Sequence, residues 1–181
     1  GGNKVSMVAM LDAGSRHDPK RIPGLHHALE HLMARATEKY PSWEELCGRT
    51  DEFCSAFNAE PDKSTILYYL KTRSGYARSG LKILDQVINR PLFMSQLDTA
   101  KDLANEQNRL AEERSQANDM PDEWADEQMD RIMLTGGLAH TIDGPLPVIK
   151  KYTVNRLRTL YRQLVVGRRL TIVVWGCFNE T

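Results

Sequence analysis

Apolar and polar positions follow two different rhythms along the chain, and each change of rhythm marks an element. Residues 5–13 (VSMVAMLDA) are nearly continuous in apolar and β-prone side chains and stop at Gly14-Ser15, which predicts a buried strand. Asp18-Pro19-Lys20-Arg21 reads as loop. Pro23 stands where helices begin, and residues 24–35 carry no breaker past the first turn, so a helix is expected there. Ser42, with Glu45 three positions on, forms a capping box that opens a second helix, expected to close near Gly48. Two strands, 53–59 and 65–71, flank Glu60-Pro61-Asp62-Lys63, which reads as a hairpin connection.

Leu81, Leu84, Val87 and Ile88 recur at helical spacing over 80–89, and Pro91 closes that segment. Residues 96–118 are charged, lack Gly and Pro, and read as one long helix. Pro121 opens another, to about Leu134. Gly136-Gly137 and Asp143-Gly144-Pro145 mark a long loop region. Leu157, Leu160, Tyr161 and Leu164 share one face of a helix over 153–165, and residues 170–175 form a closing strand. The order strand, helices, two strands, helices, strand predicts an α+β domain with helices packed on one sheet. No repeat or linker divides it, so residues 1–181 are expected to form one domain.

Composition narrows the partners rather than the fold. The 24 Lys plus Arg balance the 24 Asp plus Glu, which leaves no electrostatic reason to expect nucleic acid or an anionic membrane. The apolar run 170–175 is far too short to span a bilayer. The chain enters a strand directly after Gly1-Gly2-Asn3, so its start is expected to be a cut or processing boundary, with any targeting signal outside it. Cys47, Cys54 and Cys177 lack metal-type spacing and read as free thiols of a reducing compartment, for which the cytoplasm is the expectation. Cys47 and Cys54 are the two that a disulfide would join.

Candidate chemistry is concentrated in His26-His27-Ala28-Leu29-Glu30-His31. On a helix, residues three and four apart share a face, so His27, Glu30 and His31 project together. Two imidazoles one turn apart can grip one zinc ion, leaving Glu30 beside the metal as a base for its water. His26 is rotated away; contact with Glu30 or solvent is expected for it. A catalytic zinc needs a third protein ligand, and His17, His140, Glu106, Glu112 and Glu113 are available. Glu106 and Glu113 lie two turns apart on one face of the long helix, whereas Glu112 points away. Such a face can supply one direct ligand and one acceptor that orients a histidine, and the expectation is Glu113 as the ligand and Glu106 as its support. Five residues of pattern do not by themselves separate a metal helix from a surface helix with satisfied histidines. Tyr68 and Tyr69 read as core or sheet residues.

Taken in order, these segments resemble the N-terminal catalytic domain of the pitrilysin/insulinase family of zinc metallopeptidases, which includes mitochondrial processing peptidase. Ala13-Gly14-Ser15-Arg16 resembles the strand end before the catalytic helix, and Gly24 to His31 the zinc helix itself. Thr37-Glu38-Lys39-Tyr40-Pro41 resembles the segment after it. Asn58-Ala59 with Thr65 and Tyr68-Tyr69 is similar to the substrate-lining edge strand and its neighbour. Glu106 through Glu113 resembles the helix of the third ligand, and 170–176 the final strand. The resemblance implies a mostly antiparallel sheet with helices on one face. It also implies a Zn2+ cofactor on His27, His31 and Glu113, Glu30 as base and Glu106 in support. Peptide substrate would add as a strand beside Phe57-Asn58-Ala59. An edge strand suits that role, because its free N–H and C=O groups hold any extended peptide.

The chain departs from the pattern at Ala28, where a bulky aromatic is usual, and at Cys54-Ser55, where glycines are usual. The 82 positions from His31 to Glu113 imply a small insertion. Family enzymes close their chamber with a second related domain, which implies a homo-oligomer or a heteromer here. The function expected is zinc-dependent endopeptidase; the alternative is a non-catalytic or peptide-binding subunit of a heteromeric processing complex.

Overall fold

The structure, a computed structural model, describes residues 3–95 and 99–177. Four strands form one antiparallel sheet: β1 (Lys4–Leu11), β2 (Cys54–Pro61), β3 (Ile66–Arg73) and β4 (Leu170–Gly176), in the order β2-β3-β1-β4. Val5, Met7, Ala9 and Leu11 point to one side of β1 and are completely buried, while Ser6, Val8 and Met10 between them are half-buried. The two-residue period thus gives the sheet one core face. Met7 faces Leu70, Ala9 faces Tyr68 and Leu11 faces Ile66 across the β1–β3 ladder, extending that face. A slip of one residue would turn all of these side chains outward, so burial fixes the register.

Seven α-helices are present among the described residues: α1 (Leu25–Arg35), α2 (Trp43–Asp51), α3 (Ala77–Asn89), α4 (Thr99–Asp119), α5 (Pro121–Met133), α6 (Leu146–Ile149) and α7 (Val154–Leu164). α1 buries Leu25, Ala28, Leu29, Leu32 and Met33 at helical spacing in the common core. Burial of each Leu contributes about 1.5–3 kcal/mol, which holds the helix whatever its polar stripe does. On α4 the stripe that faces inward is Leu103, Glu106, Leu110 and Glu113, two buried leucines alternating with two acids. Gln107 Nε2 donates to the Ile149 and Tyr152 carbonyls at 3.0 and 3.2 Å and ties α4 to α6.

Each element expected from the sequence is present, with shifted ends. α2 starts as anticipated, Ser42 Oγ accepting the Glu45 N–H at 3.2 Å, but runs to Asp51 rather than closing near Gly48. Gly48 faces open space and costs only the ordinary helix penalty, while buried Leu46 and Thr50 hold the turn on either side. β2 continues through Pro61, which an edge strand tolerates because its N–H side faces outward. The short α6 lies in the region expected to be loop, its Pro147 in the first turn. The start of the expected 96–118 helix, residues 96–98, lies outside the described residues. Cys47, Cys54 and Cys177 are all free thiols. No helix among the described residues is long and apolar enough to cross a membrane.

Candidate metal centre

The start of α1 is fixed by one buried carboxylate. Asp18 accepts the backbone N–H of Gly24 at 2.6 Å, that of His26 at 3.1 Å, and the Nδ1–H of His26 at 2.6 Å. It thereby satisfies donors that a helix start leaves without partners, and its charge suits the positive end of the helix dipole. His26 is accordingly buried against Asp18, and neither of the two contacts expected for it is made. The cause is the 18–23 loop, which folds back over a residue eight positions away, beyond any helical spacing rule.

One turn into the helix, His27 and His31 lie edge to face, ring centroids 4.6 Å apart, with their Nε2 atoms 3.0 Å from each other. Glu113 Oε2 comes from α4 to within 3.6 Å of His27 Nε2 and 3.3 Å of His31 Nε2. These three side chains are the one such metal-competent cluster among the described residues. Tetrahedral zinc with bonds of about 2.0–2.1 Å separates its ligand atoms by about 3.3 Å, and the observed edges bracket that value. Two imidazole nitrogens and one carboxylate oxygen are a zinc donor set with room for a fourth ligand, so the residues fit the ion. Of the other third-ligand candidates, His140 Nδ1 faces the Ser15 carbonyl, His17 sits beside His26, and Glu112 is exposed.

Carboxylates surround the cluster. Glu30 Oε2 lies 4.0 Å from His27 Nε2 and 3.7 Å from His31 Nε2, beside the three atoms rather than among them. Burial pushes the Glu30 carboxyl above its usual range. His31 Nδ1 donates to Glu106 Oε2 at 3.1 Å, and the other Glu106 oxygen is bound by Arg35, which also reaches Asp102 at 3.2 Å. Burial works against charge on both members of that pair. For His31 the Glu106 and Glu113 carboxylates outweigh burial and push the metal-free imidazole up to about 10. For Glu106 the His31 and Arg35 bonds outweigh it and hold the carboxyl low. Glu113 is likewise lowered against its burial by His31 and His27.

His27 Nδ1 faces Asp143 Oδ1 at 3.3 Å, off the direction of a hydrogen bond, and has no hydrogen-bond partner among the described residues. Sequence reasoning missed Asp143. It stands in a Gly/Pro loop, 116 positions from His27, where no periodicity points to a site.

A cleft of about 290 Å³ opens over the cluster, lined by His27, Glu30, His31 and Glu113 together with Phe57, Asn58 and Ala59 of β2. The structure thus brings all the anticipated site residues to one place except Glu106, which stands behind His31. β2 is an edge of the sheet, with no strand beyond it among the described residues. Asn58 Nδ2 donates to the Tyr69 hydroxyl at 3.4 Å, and that hydroxyl donates to Glu60 at 3.0 Å, so the edge is braced by its neighbour. Tyr68 is buried in the core.

An α+β fold that brings a histidine pair on one helix against a glutamate from a second gives a candidate metal site. Comparison with known proteins places it further. The profile of the family described as Insulinase (Peptidase family M16) matches residues 2–145. The beta subunit of mitochondrial-processing peptidase from Dictyostelium discoideum is 24% identical over 180 residues, 99% of this chain and 37% of that one. An uncharacterized zinc protease of Bacillus subtilis is 25% identical over 178 residues, 98% of this chain and 42% of that one. In fold, a protease from Helicobacter pylori superposes with a TM-score of 0.88 at 18% identity, over 98% of this chain and 42% of that one. Pitrilysin superposes with a TM-score of 0.78 at 19% identity, over 97% of this chain and 19% of that one. The chain belongs to the insulinase family, peptidase family M16. It is a peptidase-family domain. The chain spans well under half the length of these relatives.

Proposed function

We propose that residues 1–181 form one zinc-dependent endopeptidase domain that hydrolyses peptides or small unfolded proteins. The observation that carries this reading is the convergence of His27, His31 and Glu113 beside the buried Glu30. His27, His31 and Glu113 would hold the ion, which when bound polarises a carbonyl and acidifies water. Glu30 takes the proton from the attacking water at Oε2 and returns it to the leaving amine. Its raised pKa suits both steps, because a stronger base accepts more readily and the acid remains able to donate. Glu106 accepts the His31 Nδ1–H, which leaves Nε2, on the Glu113 side, as the atom that would face the ion. Phe57-Asn58-Ala59 at the sheet edge aligns the peptide as an added strand. A second cavity of about 450 Å³ shares Arg35, Trp43 and Arg109 with the cleft and offers room for a substrate side chain.

A second related domain or subunit, as a homo-oligomer or heteromer, would close the open side of the cleft. The beta-subunit relative supports this, since the present chain covers 37% of it. Three free thiols support a reducing compartment, read here as the cytoplasm. The rival reading is a non-catalytic or peptide-binding subunit. It is favoured by similarity to core protein I of the Euglena gracilis ubiquinol-cytochrome-c reductase complex, 24% identical over 181 residues. A zinc titration with a quenched peptide, run with the second family domain supplied, separates the two. Glu30→Gln is expected to keep zinc and lose about 10²- to 10⁴-fold in turnover, while His27→Ala loses both. Undiminished turnover in Glu30→Gln removes the assigned base.

A further inference from the structure

The two histidines of the cluster are not supported alike. His31 has Glu106 behind it, in good hydrogen-bond geometry and itself bound by Arg35. The buried Nδ1 of His27 has no hydrogen-bond partner among the described residues, and Asp143 Oδ1 lies 3.3 Å from it. We propose that Asp143 is the positioning residue of His27, the carboxylate that would accept its Nδ1–H in the metal-loaded site, so that each imidazole has a carboxylate behind it. The inference rests on the reading of His27 as a metal ligand.

Three features hold Asp143 where that task requires. Its Oδ2 lies 4.0 Å from Arg114, and Arg114 is clamped in both directions by Glu127, at 2.6 and 2.7 Å. The chain His27–Asp143–Arg114–Glu127 therefore joins α1, the 134–145 loop, α4 and α5, as His31–Glu106–Arg35–Asp102 joins α1 to α4. The loop itself is keyed to the start of α1. Gly144 (φ 70°) and Gly24 (φ 85°) are packed back to back, so that a Cβ on Gly24 would lie 2.7 Å from the Asp143 carbonyl oxygen. The Tyr152 hydroxyl, which donates to Pro23 O at 2.7 Å, closes the contact.

A neutral imidazole that offers Nε2 to a metal must carry its proton on Nδ1, and an acceptor there fixes both tautomer and ring angle. Loss of such a partner weakens metal binding about 10- to 100-fold. The test measures zinc affinity by competition with a chromogenic chelator, together with the thermal midpoint of the metal-free protein. Asp143→Asn and Asp143→Ala are expected to bind zinc about 10-fold or more weakly. Asp143→Glu is expected to recover part of the loss, and Asp126→Asn, an equal change of charge on α5, to bind as the parent does. Arg114→Gln, which leaves the carboxylate and removes its brace, is expected to show a smaller loss. If the Asp143→Ala midpoint falls so far that affinity cannot be read, Arg114→Gln decides: unchanged affinity there overturns the proposal. Unchanged affinity in both folded Asp143 variants also overturns it, as does an equal loss in Asp126→Asn. His27→Ala, measured alongside, keeps the two readings apart: if it too binds zinc normally, the ligand assignment has failed and not merely its support.

Discussion

Removing the Asp18 carboxylate should loosen the metal helix before any ligand is touched. In Asp18→Ala three donors lose their acceptor at once: the Gly24 N–H, the His26 N–H and the His26 Nδ1–H. Loss of a capping carboxylate alone costs about 0.5–2 kcal/mol. The imidazole donor adds about 1–3 kcal/mol, because His26 is 2% exposed and water cannot replace the lost partner without moving the 18–23 loop. The Nε2 of the same ring has no hydrogen-bond partner among the described residues, so no second hydrogen bond offsets the loss. Together these give about 1.5–5 kcal/mol, a large share of the roughly 5–15 kcal/mol that holds a domain. At about 2–4 °C per kcal/mol for a chain of this length, the thermal midpoint should fall by roughly 3–20 °C. The assay is thermal and urea unfolding of the metal-free protein followed by circular dichroism. Asp18→Asn should lie between, since it keeps one acceptor oxygen but sets an amide against a donor. A loss below about 1 kcal/mol in Asp18→Ala would refute the claim that this carboxylate anchors α1.

Two further outcomes are expected. The folded, metal-free His31 is raised from 6.5 to about 10, so its protonation contributes stability that is fully present below pH 6.5 and is lost as pH rises through about 10. Urea midpoints should therefore separate the parent from His31→Asn at pH 6 and bring them closer by pH 10; a gap that widens with pH contradicts the assignment. Gly144→Ala should destabilise by more than about 1 kcal/mol in thermal unfolding, because it meets both a positive φ and the Tyr152 hydroxyl at 2.6 Å; a neutral effect would show that the loop is not locked to α1.

Local pattern made the site legible to an unusual degree, and topology accounts for the remainder. His27, Glu30 and His31 could be grouped because one helix turn fixes their spacing, and Glu106 with Glu113 because two turns do. Convergence of the two helices is a tertiary fact that spacing does not contain; there, resemblance to a family supplied what periodicity could not. Pattern alone places β2 but reads Pro61 as part of the hairpin connection, and the edge position of the strand follows only from the resemblance. Asp143 and the Asp18–His26 pair stayed hidden for a related reason. Both act from irregular loops across long or aperiodic separations, where an acidic residue looks like any other turn residue.

The central claim is that one ion is held by the imidazoles of His27 and His31 and the carboxylate of Glu113. X-ray absorption at the zinc edge, on protein loaded with one equivalent, reads the donor set directly. The account predicts two imidazole nitrogens and oxygen donors at about 2.0–2.1 Å, no sulfur, and loss of one imidazole in His27→Ala. A sulfur shell at about 2.3 Å, or an imidazole count unaffected by His27→Ala, would contradict it.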